Sequence, residues 1–210
     1  MIADKPTRII LVRHGQTELN LAGKLSGQTE TALTELGQKQ AQGVAKMLAE
    51  KKIDKIYASP YSRAVDTAKP LADSCGMEIE TLPGLMEQNF GEWEGRNFNE
   101  VFSIIPGGPE GLMRGPYLGR FPAGEGTEKF AGRVMACLHD EILAPNDGKT
   151  VAVFTHAGVI AVMMCHFLGI DPFANFFRIA SANGSVSIVD RFALHLFRII
   201  CINRLPEIGE

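Results

Sequence analysis

The chain reads as an α/β protein, with a mostly parallel central sheet and helices on both faces. Two apolar runs, Ile9-Ile10-Leu11-Val12 and Val151-Ala152-Val153-Phe154, lack the alternation of a half-solvated strand. They read as strands buried on both faces. Segments of helical periodicity lie between the strand-like runs, so strands and helices alternate along the chain. Both runs also end abruptly in histidine and glycine, at Arg13-His14-Gly15 and at Thr155-His156-Ala157-Gly158. Ligands of open α/β sheets collect just beyond the carboxyl ends of strands. These two turns are therefore placed for chemistry and are expected to face one cavity.

The elements follow in order. Residues 23–30 form a polar, glycine-bearing loop. Thr34 is placed to cap a helix running to about Lys51, with Leu36, Ala41, Val44, Met47 and Leu48 on one stripe. Lys55–Ala58 reads as a short strand. Ser59-Pro60 then offers a cap followed by proline at the first helical position, which puts Arg63 in the first turn. Pro70 is expected to kink or end this helix and Gly76 to stop it, with Met77–Leu82 as the next strand. Asn97–Ile105 reads as a short helix with Phe98, Val101, Phe102 and Ile105 on one face. Residues 106–126 are dense in glycine and proline yet carry Leu112, Met113, Tyr117, Leu118 and Phe121. They are too apolar for a free linker, and 97–126 reads as a lid or specificity segment within a single domain spanning 1–210. Thr127 is placed to cap a helix to about Leu143, with Phe130, Val134, Cys137, Leu138 and Ile142 facing inward. The strand at 151–154 leads through the second histidine turn into a helix to Leu168, closed by Gly169. Ser185–Val189 and Ala193–Cys201 read as two further strands, a hairpin around Asp190-Arg191.

Composition narrows the function. The 210 residues are 45% hydrophobic and 21% charged, an ordinary globular balance. A net charge of −3 argues against nucleic acid or an anionic membrane as a partner held by overall charge. Any anion must be held by a local cluster of cations. Cys75, Cys137, Cys165 and Cys201 are scattered, without a short metal-ligand spacing. A cytoplasmic protein with reduced thiols is the expectation. No cofactor and no metal is called for. The longest apolar stretch, Val159–Leu168, is too short to span a bilayer.

Several blocks ask to be read together: Arg-His-Gly-Gln-Thr-Glu-Leu-Asn at 13–20, Ser-Gly-Gln-Thr-Glu-Thr-Ala-Leu-Thr-Glu-Leu-Gly at 26–37, Tyr-Ala-Ser-Pro-Tyr-Ser-Arg-Ala at 57–64, Glu-Gln-Asn-Phe-Gly-Glu-Trp-Glu-Gly at 87–95, Pro-Ala-Gly-Glu-Gly at 122–126 and Thr-His-Ala-Gly at 155–158. In this order they resemble the histidine phosphatase superfamily, and within it the phosphoglycerate-mutase-like branch. The resemblance covers about residues 8 to 168. It implies that His14 is a nucleophile forming a phosphohistidine, that Arg13, Arg63 and His156 surround the transferred phosphoryl, and that Glu87 donates the proton. It also implies phosphate or substrate contacts at Asn20 and Gln28 and around the turn Ala157-Gly158. Gly15 and Gly158 are expected to let backbone approach the anion closely.

The chemistry fits these residue types. Transfer of a phosphoryl group needs a nucleophile, cations around the equatorial oxygens and an acid for the leaving alkoxide. Arg13 and Arg63 are expected to depress the His14 pKa, and an apolar setting to raise that of Glu87. Glu92 and Glu94 lie close enough in sequence to be mistaken for Glu87. His139, His166 and His195 are read as structural or surface groups, the first in a helix and the last in a strand. The middle segment resembles the phosphatase side of the branch, which includes α-ribazole-5′-phosphate phosphatases and broad-specificity phosphatases. The resemblance thus implies a metal-independent phosphomonoesterase acting on a small phosphorylated metabolite. A phosphoglycerate mutase is the alternative, and a weakly catalytic regulatory module that binds a phosphorylated ligand is a second. In the family pattern glycine is frequent where Ala157 stands, and the tail from Arg198 does not match the mutases. Phe173, Phe176 and Phe177 suggest an apolar patch, with a homodimer as the candidate assembly.

Overall fold

The computed structural model describes residues 5–105, 107–108, 110–111, 121–175 and 178–208, the side chains of 173 and 174 excepted. Six strands form one sheet: β1 (Thr7–Arg13), β2 (Lys55–Ala58), β3 (Ile79–Thr81), β4 (Thr150–Thr155), β5 (Val186–Ala193) and β6 (Leu196–Arg204). Their order is β3-β2-β4-β1-β5-β6. The pairs β2–β3, β2–β4 and β1–β4 are parallel; β1–β5 and β5–β6 are antiparallel. The sheet is mostly parallel, as the continuous apolar runs predict.

The helices among the described residues are α1 (Glu18–Leu21), α2 (Glu35–Leu48), α3 (Ser62–Cys75), α4 (Phe98–Ile104), α5 (Thr127–Ala136), α6 (Ala157–Phe167) and α7 (Pro172–Asn175). A π-helical stretch, Cys137–Leu143, continues α5. Successive residues of β1 supply two cores, because side chains alternate across a strand. Ile9 and Leu11 pack with Phe130, Val134 and Val159 from α5 and α6. Ile10 and Val12 pack with Val44 and Leu48 of α2 and Leu71 of α3. A third cluster of Trp93, Val101, Ile105 and Phe121 sits apart from both.

Several local expectations change. Ser59 does not start α3: Tyr61 takes the capping position without a side-chain bond, and the Glu30 carboxylate accepts from the Ser62 N–H and hydroxyl instead. Pro70 neither ends nor shortens this helix, which runs on to Cys75 and a left-handed Gly76 at φ 63°. Burial of Ala68, Leu71 and Ala72 outweighs a proline cost of about 3 kcal/mol. Thr127 is not the cap of α5; Gly126 is, and the buried Thr127 hydroxyl accepts from Gln88 Nε2. Asp190 and Arg191 lie inside β5, and the chain turns at Leu194-His195, so His195 is in the turn and not in a strand. Asp190 stays in the sheet because Arg8, opposite it in register on β1, meets its carboxylate with two bonds of 2.7 Å. The helix expected over 97–105 forms, capped by Asn97 in a reciprocal box with Glu100. Arg114, Arg120, Leu112, Met113, Tyr117, Leu118 and the Phe176-Phe177 pair lie outside the described residues, as does the Phe173 side chain.

Candidate active site

Parallel pairing of β1 with β4 sets Arg13 opposite Thr155, so the residues that follow, His14 and His156, leave the sheet side by side. The His14 N–H donates to the Thr155 carbonyl at 2.9 Å, and the two rings meet edge to face with centroids 5.2 Å apart. His14 Nδ1 lies 2.8 Å from the Gly15 carbonyl. That bond assigns the ring proton to Nδ1 and leaves the Nε2 lone pair free. Burial holds the His14 pKa well below 6.5, with Arg13 and Arg63 pushing the same way. Burial is the first cause, where the sequence suggested the arginines. His156 is lowered in the same sense, by burial and then by Arg63, His14 and Arg13. Both rings are neutral near pH 7.

The cations come from different elements. Arg13 ends β1 and donates through Nη1 to the Ser181 carbonyl at 2.5 Å. Arg63, fully buried in the first turn of α3, donates to the Gly27 and Thr29 carbonyls at 2.6 and 3.0 Å. Its guanidinium lies over the Tyr61 ring at 4.8 Å. These bonds hold the two planes but, among the described residues, leave Arg13 Nε and Arg63 Nε buried without a partner, as are His156 Nδ1 and Ser26 Oγ. All four atoms belong to residues lining one cavity of about 290 Å³. Buried polar atoms without partners are costly and call for an explanation, and an oxyanion supplies one. Ser59 bonds His156 Nε2 at 2.7 Å, which orients that ring.

Glu87 reaches the cavity from the loop after β3. Its carboxylate accepts from the Gly158 N–H at 3.1 Å and the Gln88 N–H at 2.9 Å. Burial nonetheless raises its pKa, against those two bonds and against Arg63 and Arg13. The neighbouring Glu94 is occupied elsewhere, accepting from the Gln28 and Phe90 N–H groups and the Thr29 hydroxyl. Glu87 is the carboxyl that lines the cavity; Glu92 and Glu94 do not.

Asn20, Ala157 and Gly158 also line it, whereas Gly15 and Gln28 stand behind it. The Gly15 N–H is taken by Thr67 Oγ1 at 3.0 Å, and a Cβ there would lie 2.4 Å from the Gly37 carbonyl oxygen. Its missing side chain allows close packing on α2. Gly158 likewise makes room for Glu87, whose Oε1 a Cβ would meet at 2.4 Å. Gln28 donates from Nε2 to the Glu87 carbonyl at 3.1 Å and so supports the acid's backbone. The far wall is apolar, built on Phe90, Trp93, Phe98, Phe102 and Phe121. Trp93 and Phe121 meet at right angles, 5.3 Å between centroids.

Sequence reasoning missed Asn183, whose amide donates to the His14 and Gly15 carbonyls and to Asn20 Oδ1. It missed Ser59, read there only as a cap, and Ser26. Asn183 and Ser59 carry no local signal, since each acts through partners distant in sequence.

A family model for the histidine phosphatase superfamily (branch 1) matches residues 9–202. The chain belongs to this superfamily. Among curated members, it is 32% identical over 183 residues to the Probable phosphoglycerate mutase GpmB of Enterobacter sp. (strain 638), covering 87% of this chain and 84% of that one. It is 30% identical over 182 residues to Phosphoserine phosphatase 1 of Hydrogenobacter thermophilus, covering 87% and 85%. The alpha-ribazole phosphatase of Shigella flexneri shares the fold, with a TM-score of 0.81 at 24% identity over 97% of this chain and 100% of that one. The superfamily match extends past the motif blocks through β5 and into β6, so it takes in only the start of the tail that departs from the mutase pattern.

Proposed function

We propose that the protein is a phosphomonoester hydrolase working through a phosphohistidine on His14. The observation that supports it most is the meeting of a free His14 Nε2 with the unpartnered donors of Arg13, Arg63 and His156 at one cavity. In the first step the Nε2 lone pair forms a bond to phosphorus while the bond to the ester oxygen breaks. The three equatorial oxygens lie among the guanidinium and imidazole donors, whose charge matches the transition state. The Glu87 carboxyl, whose hold on its proton burial strengthens, gives that proton to the leaving alkoxide. In the second step water attacks phosphorus, its proton passes to the Glu87 carboxylate, and the electrons of the broken N–P bond return to His14. Arginine charge does here what magnesium does in kinases.

The aromatic wall favours an ester whose alcohol has a flat or extended apolar body, such as a nucleoside-like phosphate; α-ribazole 5′-phosphate is one candidate. A cavity of this size fits a small metabolite. Segment 97–126 then acts as the lid that supplies specificity, within one catalytic domain. The four cysteines are free, which suits a reducing, cytoplasmic setting. Among the described residues no helix is long and apolar enough to cross a membrane. The names of the GpmB relatives favour a second reading, a mutase interconverting phosphoglycerates.

Phosphate release from a panel of monoesters in EDTA, wild type beside His14→Ala, tests the proposal. Release by the wild type and none by the variant is expected. Interconversion of phosphoglycerates with little release would replace it by the mutase, and activity surviving His14→Ala would mean another nucleophile.

A further inference from the structure

Arg133 does not line the cavity, yet its guanidinium is the most heavily engaged cation near Glu87. It leaves α5 and is held by the Glu125 carboxylate through Nε and Nη2, at 3.1 and 2.7 Å. The Glu125 side chain is only 10% exposed, so this is a fork on a nearly buried carboxylate, not a solvated surface pair. The outward nitrogens then reach across to the acid's loop. Nη1 donates to the Gly84 and Met86 carbonyls at 3.0 and 2.9 Å, and Nη2 to the Glu87 carbonyl at 3.4 Å. The Phe130 ring lies 5.3 Å from the guanidinium carbon and fixes its plane.

We infer that Arg133, locked by Glu125, is the positioning residue of the acid: it sets the backbone of 84–87 so that the Glu87 carboxyl meets the Gly158 N–H and faces the phosphoryl site. The inference rests on the proposed role of Glu87. The Gly84, Met86 and Glu87 carbonyls all turn toward this one guanidinium, and a planar fork gathers them; the compact ammonium of lysine cannot match it. The same guanidinium ties in residues 121–127. Glu125 N donates to the Asn89 carbonyl at 2.8 Å, and Gln88 Nε2 donates to the Glu125 carbonyl at 3.0 Å. Phe121 of the aromatic wall stands four residues before Glu125. One ion pair thus joins the acid's loop to the segment that carries Glu125.

Two esters with the same aromatic body separate this role from a structural one. Phenyl phosphate needs a proton on its leaving group; 2,4-dinitrophenyl phosphate does not. Glu87→Ala is measured first. Its loss in kcat/KM, which reads the first step alone, should be large on phenyl phosphate and small on the dinitrophenyl ester, and equal losses on both would remove Glu87 as the acid, and with it the premise. With that pattern in hand, Arg133→Met should repeat it in weaker form. About 10- to 100-fold lower kcat/KM on phenyl phosphate is expected for an acid displaced by about an ångström, with little change on the dinitrophenyl ester. Added to Glu87→Ala, it should cost nothing further on phenyl phosphate. Arg133→Lys should recover only part of the rate, and Glu125→Gln should resemble Arg133→Met. Equal losses on the two esters, or losses that multiply in the double variant, would overturn the assignment. If Arg133→Met does not fold, Arg133→Lys and Glu125→Gln carry the same comparison.

Discussion

Within a single buried cluster the pKa values of His14 and His156 are pushed down and that of Glu87 is pushed up. Activity needs His14 without its second proton and Glu87 with its only one. Burial lowers the imidazole below its usual value and raises the carboxyl above its own, so both shifts widen the active pH range. The acid limb of kcat/KM is expected to fall below the ordinary imidazole value of about 6.5, and the basic limb above the ordinary carboxyl value of about 4.3. The two apparent constants belong to the coupled cluster. On phenyl phosphate, Glu87→Gln should erase the basic limb and lower kcat by about 10²- to 10⁴-fold. A variant profile that keeps that limb would assign it to another group.

At the scale of elements, the site depends on backbones that approach each other where no side chain fits. The turn after β1 packs on the start of α2, with the Gly15 Cβ position 2.4 Å from the Gly37 carbonyl oxygen. Backbone cannot move aside cheaply, so Gly15→Ala should destabilise the fold by about 1–3 kcal/mol, the usual cost of overpacking. Chemical denaturation measures it, and an unchanged midpoint would refute the tight fit. At the head of α6 the obstructing atom is instead the Glu87 carboxylate. Gly158→Ala is therefore expected to keep most of the stability while displacing the acid. It should lower kcat/KM on phenyl phosphate far more than on the dinitrophenyl ester, and equal losses would place the damage elsewhere. Helix α3 shows the opposite balance: its proline is tolerated because one face is packed against α2 and the sheet.

For the whole molecule, the same shifts make stability depend on pH. Below about pH 6.5 the unfolded chain protonates the histidines that the fold keeps neutral. Each ring thus gives a contribution present above that value and lost as pH falls, by up to about 1.4 kcal/mol per pH unit. Glu87 acts in the other sense. Its raised value favours the fold at low pH, and that contribution is lost as pH rises from about 4.3 through the folded value. Between these limits two rings oppose one carboxyl, so Tm is expected to drop on going from about pH 7 to about pH 5. His156→Asn should flatten the decline, and an unchanged slope would show that other groups govern it.

The sequence by itself determined the sheet, its buried strands and the two histidine turns, because four-residue apolar runs and abrupt stops are local patterns. It also determined which residue types the chemistry needs, through blocks standing in a recognisable order. Tertiary structure decided the rest. Glu87 is distinguished from Glu92 and Glu94 only by which carboxylate meets the Gly158 N–H and which meets the loop at 28–30. Asp190 became a strand residue because Arg8 stands opposite it, and Thr127 gave up its cap because Gln88 claims its hydroxyl. Gly15 lets two backbones touch, a contact with Gly37 that no local pattern announces. In each case the deciding partner is distant along the chain, and a local pattern holds no record of it.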